Sequence, residues 1–212
     1  MSDHSVFVID DDEDVRDALV CLLRAEGIRA RAFASGDHFF DKLPDLPSAC
    51  VITDVRMPGM DGAEVVRRLR ELKGDAWSVI VITGHGEVPL AVQLMKAGVI
   101  DYIEKPFEPN RLVEVVRGSF THLDDLLAQK AEADAVARRL AALTPRELEV
   151  FRALIQGRTN KHIASDLQIS PRTVEIFRAK VMAKMAADSL SALIRAGLKA
   201  AQGAGGEAVL GV

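Results

Sequence analysis

The chain has 212 residues, 49% of them apolar, with a formal net charge of −4 at pH 7 and two cysteines. That length exceeds one typical domain and supplies enough apolar side chains for real cores, while so few cysteines exclude a disulfide scaffold. No apolar run approaches membrane-spanning length and no signal peptide is recognised, so a cytoplasmic location with no membrane partner is expected.

Short Val/Ile-rich runs at 6–9, 50–53, 79–82 and 99–103 alternate with helical stretches that begin near Asp12, Ser35, Asp61 and Glu87. Such runs read as buried parallel strands, and the pattern predicts an α/β doubly wound, five-stranded parallel sheet. Asp61-Gly62-Ala63-Glu64 has the side chains of a capping box, and Gly27 and Gly98 suit helix C-terminal turns. Cys21 in a helix and Cys50 at a strand start both read as core thiols.

A polar residue follows each of the four runs: Asp10 and Asp11, Asp54, Thr83, and Lys105. In a sheet of this kind the strand carboxyl ends share one edge, which is where ligands bind. Crowded carboxylates repel one another, and a hard divalent cation held through oxygen, Mg²⁺, relieves that repulsion. With Lys105 and the Thr83 hydroxyl reaching a phosphoryl group, Asp54 is the expected covalent acceptor.

Four motifs carry a family resemblance: Ile9-Asp10-Asp11-Asp12-Glu13, Thr53-Asp54 through Met57-Pro58-Gly59-Met60-Asp61-Gly62, Val81-Ile82-Thr83-Gly84-His85-Gly86, and Glu104-Lys105-Pro106-Phe107. Residues 1–122 resemble the receiver domain of two-component response regulators, a flavodoxin-like fold. The resemblance implies that Asp11, Asp54 and the Arg56 carbonyl bind Mg²⁺ directly and Asp10 largely through water. It further implies that Thr83 and Tyr102 form a switch pair, that the Lys105-Pro106 peptide is cis, and that a sensor histidine kinase donates the phosphoryl group. His85 and Arg56 occupy positions that tune dephosphorylation in this family, and either is equally a solvated surface residue.

Two other chemistries compete for the same aspartates. Asp10, Asp12 and Asp14 open like an EF-hand loop, but Val15 replaces the required glycine and Cys21 the bidentate glutamate. An aspartate-nucleophile phosphatase would carry its phosphoryl group on Asp10, but Glu13-Asp14 continues the motif in place of its glycine and threonine.

From Pro109 onward the pattern is helical. Leu112, Val116, Ser119, Leu123, Leu126, Lys130, Ala133, Ala137 and Leu140 alternate spacings of four and three, predicting one long helix that ends the receiver and continues as a linker over 123–142. The stripe reads either as a seam that pairs with a second copy or as a solvated tether. Net charge is −7 over 1–122, −1 over 123–142 and +4 over 143–212, so the basic excess lies where a polyanion would be met.

Residues 143–200 predict an all-α, four-helix domain. Thr144-Pro145-Arg146-Glu147 combines an N-cap, an N1 proline and a capping-box glutamate. A helix over 160–167, a turn through Gln168-Ile169-Ser170 and a helix from Pro171 to about Met185 make a helix-turn-helix, followed by a helix over 189–200. On the third helix Val174, Phe177, Val181 and Met185 share the core face. Arg172, Glu175, Ile176, Ala179 and Ala183 then face outward toward a DNA major groove, with Lys161, Thr173, Arg178, Lys180 and Lys184 placed for phosphates.

Leu143-Thr144-Pro145-Arg146-Glu147, Thr159-Asn160-Lys161-His162-Ile163-Ala164 and Ser170-Pro171-Arg172-Thr173-Val174-Glu175 resemble the LuxR/NarL-type effector domain, and the combination resembles the FixJ branch. His162 and Phe177 depart from the family's usual glutamate and histidine. Residues 201–212 are Gly- and Ala-rich and expected to be disordered. The expected whole is a phosphorylation-dependent transcription regulator with no catalysis beyond phosphoryl acceptance and slow hydrolysis at Asp54. Its partners are a sensor kinase, double-stranded promoter DNA, a second copy of the chain on phosphorylation, and RNA polymerase. The alternative is a phosphoryl sink or protein-docking regulator with secondary DNA binding.

Overall fold

The computed structural model describes residues 4–84 and 88–202, without the side chains of 201 and 202. His85, the expected helix start at Glu87 and the terminal 203–212 lie outside the described residues. Two compact units divide at Leu127 and Ala128.

In the first unit, strands β1 (Ser5–Ile9), β2 (Arg29–Phe33), β3 (Cys50–Asp54), β4 (Ser78–Thr83) and β5 (Asp101–Glu104) form one parallel sheet in the order β2-β1-β3-β4-β5. Crossovers are made by helices α1 (Glu13–Ala25), α2 (Gly36–Lys42), α3 (Gly62–Lys73) and α4 (Val88–Lys96). Period-two alternation sends Phe7, Val51, Val79 and Val81 to one face, against Phe39, Val65, Val66, Leu69 and Leu94. Val6, Val8, Ile52, Ile80 and Ile82 face the other way, against Leu19, Leu23, Leu112 and Val116. Each such buried side chain contributes about 1.5–3 kcal/mol. Trp77 closes the first layer against Phe7 and Phe39, at ring-centroid distances of 5.7 and 5.9 Å.

Helix starts follow their caps. Asp12 accepts from the amides of Asp14 and Val15, Ser35 from His38, and Asp61 from Glu64. The capping box expected at Asp61 is only half formed, because the Glu64 carboxylate turns to Arg67. Val99 and Ile100 precede β5: the Val99 amide donates to Leu94 O and closes α4 through Gly98, whose φ is +87°. Cys21 is exposed, correcting its assignment to the core, since Leu19 and Leu23 take the buried face of α1. Cys50 is buried, which pushes its thiol up to about 12.

Helix α5 (Pro109–Ala141) is continuous for 33 residues. Leu112, Val116, Ser119 and Leu123 are spent inside the first unit, so these positions of the alternating stripe cannot line an intermolecular seam. Leu127 is half exposed and 128–132 are exposed; Val136 and Leu140 then enter the core of the second unit, while Ala137 stays outside.

The second unit adds α6 (Pro145–Ile155), α7 (Asn160–Leu167), α8 (Pro171–Lys184) and α9 (Leu190–Gln202). Thr144 and Glu147 form the complete capping box, and Gln168, at φ +54°, makes the turn between α7 and α8. Phe151, Leu154, Ile163, Val174, Val181, Met185 and Leu193 form the core. Among the described residues no helix is long and apolar enough to cross a membrane.

Candidate functional site

The carboxyl ends of β1, β3 and β5 bring Asp10, Asp54 and Lys105 together. Lys105 Nζ lies 3.1 Å from Asp10 Oδ2 and 3.1 Å from Asp54 Oδ1, bridging the two carboxylates. The remaining oxygens are held by the backbone: Asp12 N donates to Asp10 Oδ1 at 2.9 Å, and Arg56 N to Asp54 Oδ2 at 2.7 Å. The Lys105 amide donates to Thr83 O at 2.7 Å, fixing the end of β5 to the end of β4. The Lys105-Pro106 peptide is cis.

Burial raises the pKa of Asp10, the Asp12 amide and Lys105 oppose it, and the Asp54 carboxylate adds to the rise. Burial works against the charge of Lys105, but Asp10 and Asp54 outweigh it and its pKa rises. Thr83 is buried, and Tyr102 is half-buried against the sheet layer that holds Val79 and Val81. Since Thr83 continues the odd-numbered face of β4, the proposed switch residues share one side of the sheet, the side covered by α4.

Asp11 stands apart: it is exposed, and among the described residues no three His, Cys, Asp or Glu side chains are gathered as a ready metal cage. Mg²⁺ does not require one, because it binds through one or two carboxylates and keeps several waters. Asp10, Asp11 and Asp54 against Lys105 leave two uncompensated negative charges, and the donors are all oxygen. The residues therefore fit a hard dication, with the Asp54 carboxylate held by the Arg56 amide and Lys105 and with Asp11 exposed to turn in.

Two residues that sequence reasoning passed over shape this edge. A Cβ on Gly62 would lie 2.1 Å from Asp54 O, so only glycine lets α3 start against the backbone that follows β3. A glycine directly after an acidic N-cap was the visible signal. Arg16 donates from Nη1 to Asp10 O at 2.8 Å, and the signal was a lone cation among the acids at 11–17.

In the second unit Arg172, Glu175, Ile176, Ala179, Lys180 and Ala183 are exposed on α8 opposite the buried Val174 and Val181. Ile176 is 52% exposed, unusual for its size and suited to a thymine methyl. Lys161 is exposed on α7, Thr173 Oγ1 lies 2.8 Å from the capping Ser170 hydroxyl, and Arg178 bonds Asn160 at 3.3 Å, tying the two helices together. Phe177 is half-buried against the core beneath Lys180. Lys184, placed for phosphates by the helical pattern, has its Nζ 2.6 Å from Glu147 Oε2 and 3.1 Å from Ala142 O, so it braces the capping box. That bond, then the Thr144 amide, holds the Glu147 carboxyl down at about 2.

Fold and site thus define a receiver module joined to a helix-turn-helix module. Residues 6–117 match the response regulator receiver domain, and residues 141–196 match the bacterial regulatory proteins of the luxR family. The chain is 44% identical over 195 residues to the transcriptional regulatory protein FixJ of Bradyrhizobium diazoefficiens, covering 92% of this chain and 95% of that one. It is also 44% identical over 198 residues to FixJ of Rhizobium meliloti, covering 93% and 97%. The full-length FixJ crystal structure from B. japonicum aligns with TM-score 0.59 at 42% identity, covering 96% of this chain and 100% of that chain. The response regulator StyR aligns with TM-score 0.79 at 32% identity, covering 93% and 100%. The chain belongs to the response regulators that join a receiver domain to a LuxR-type DNA-binding domain, and its FixJ relatives are transcriptional regulators.

Proposed function

We propose that Asp54 accepts a phosphoryl group from the phosphohistidine of a sensor kinase and that this controls promoter binding by α8. The observation that carries the reading is the Lys105 ammonium 3.1 Å from both Asp10 and Asp54, a cation beside the carboxylate that would take the phosphoryl group. Bound Mg²⁺ supplies charge neutralisation for the phosphoryl oxygens. The Arg56 amide fixes the plane of the Asp54 carboxylate. An oxygen–phosphorus bond forms at Asp54 as the donor's nitrogen–phosphorus bond breaks, the electron pair returning to the histidine ring. Lys105 and the Thr83 hydroxyl then hold the transferred group. No turnover beyond this transfer and the slow hydrolysis of the acyl phosphate is assigned to the chain.

Movement of Thr83 toward the phosphoryl group vacates space on the side of the sheet where Tyr102 packs. That repacks α4, whose exposed Val88, Val92 and Met95 form a stripe at helical spacing. A second copy covers this stripe, presenting two α8 helices to DNA half-sites, from which RNA polymerase is reached. The site of action is the cytoplasm.

Acetyl phosphate with Mg²⁺ tests the reading. The expected result is a phosphoryl adduct mapped to Asp54, lost in Asp54→Asn and retained, more slowly formed, in Asp10→Asn, with DNA affinity rising on modification. An adduct on Asp10, or affinity unmoved by an adduct on Asp54, overturns it.

A further inference from the structure

We propose that Arg16 is a positioning residue for the cation site: its side chain anchors the backbone just before Asp11, opposite the first helical bond of α1 just after it, so that Asp11 is presented to a divalent ion beside Asp54. The inference rests on the pocket reading above and concerns how its metal end is built. Arg16 makes two bonds that flank Asp11. Its side chain donates to Asp10 O at 2.8 Å, and its backbone amide donates to Asp12 O at 3.1 Å. The neighbouring carboxylates are already engaged: Asp10 by the Asp12 amide and Lys105, Asp12 by the amides of Asp14 and Val15, Asp54 by Arg56 and Lys105. Asp11 is exposed and, among the described residues, its carboxylate has no such bond.

Consecutive acids in one loop repel and would spread it. A guanidinium on the carbonyl of the first, from a residue whose amide is fixed to the third, holds the turn closed without consuming Asp11. Arg16 therefore exerts two opposing effects on a nearby cation. Its charge repels the ion, whereas its bonds keep the liganding loop ordered beforehand. Partners that orient metal ligands are typically worth about 10–100-fold in affinity, so ordering dominates.

The sign of a mutation separates the two effects. Calorimetric Mg²⁺ titration of the full chain, without any phosphoryl donor, is compared for wild type, Arg16→Met and Arg16→Lys. Positioning predicts that Arg16→Met weakens Mg²⁺ about tenfold although a positive charge has been removed. Arg16→Lys keeps the charge but loses the planar guanidinium whose Nη1 reaches Asp10 O, so it also weakens Mg²⁺. Acetyl phosphate labelling should require correspondingly more Mg²⁺ for half-maximal rate, with an unchanged plateau. Mg²⁺ binding by Arg16→Met equal to or tighter than wild type overturns the inference, as does weakening that Arg16→Lys fully restores. A wild-type chain that binds no Mg²⁺ fails the pocket reading itself. Unfolding midpoints measured without Mg²⁺ identify any variant whose loss comes from a damaged fold; a loss of affinity wholly matched by unfolding also counts against the positioning role.

Discussion

Replacing Gly62 by alanine is the sharpest test of how Asp54 is held. The added Cβ would lie 2.1 Å from Asp54 O and 3.0 Å from both Asp54 C and Val55 Cα, all backbone atoms that no rotamer change can move. Relief to even 3.0 Å takes a shift of about 0.9 Å, the difference from 2.1 Å, in the backbone of the proposed acceptor, Asp54. Gly62 N also donates to Val55 O at 2.9 Å, so the helix start cannot retreat without breaking that bond. Overpacking of this kind costs about 1–3 kcal/mol, which exceeds the roughly 1 kcal/mol alanine gains over glycine in a helix. A displacement near 1 Å is worth about 100-fold in rate. Gly62→Ala is therefore expected to unfold at lower denaturant, read by circular dichroism, and to label with acetyl phosphate about 100-fold more slowly, read by mass spectrometry. Gly118→Ala is the matched comparison: nothing lies within 4 Å of its Cβ position inside α5, so it should stabilise by about 0.5–1 kcal/mol. Wild-type labelling by Gly62→Ala at wild-type stability would refute the steric reasoning.

The Glu147–Lys184 pair sets an acid limit on the second unit. Because the folded carboxyl sits at about 2 against an ordinary 4.5, its contribution is complete above 4.5 and is lost as pH falls toward 2. Acid titration of unfolding should show this slope in wild type and a reduced one in Lys184→Met; identical slopes would refute the pairing. On DNA, Arg172→Ala should cost about 1–3 kcal/mol at a single base position. Lys161→Ala should weaken all sequences alike and lower the salt slope by about 1. Competition binding against single-base operator variants distinguishes these outcomes, and a uniform loss from Arg172→Ala would remove it from base contact.

Periodicity made most of the fold legible. Val/Ile runs identified β1, β3 and β4 because parallel strands are buried on both faces, whereas β2, Arg29-Ala30-Arg31-Ala32-Phe33, has no such run and β5 starts two residues after its run begins; explicit caps located α3, α6, α7 and α8 to within a residue or two. The long helix was legible in extent but not in use. Its alternating spacing cannot distinguish a stripe that packs against its own sheet from one that meets another helix, and Leu112 through Leu123 do the former. At the acidic edge, residue type and position after a strand were enough to nominate Asp10, Asp54, Thr83 and Lys105. The contacts that Arg16, Gly62 and Lys184 make were not legible, because each depends on side-chain reach or steric clearance between segments. Lys184 is the instructive case: on a helical projection it points toward phosphates, but three dimensions place a buried carboxylate within 2.6 Å of it.

The burial of Trp77 between Phe7 and Phe39 gives the molecule an optical asymmetry. It is the sole tryptophan, and the sole tyrosine, Tyr102, also lies in the first unit. Indole emission consequently reports melting of the sheet-containing half while the all-helical half stays dark. Emission compared with far-ultraviolet helicity resolves, without labels, whether the halves lose structure in one step or two.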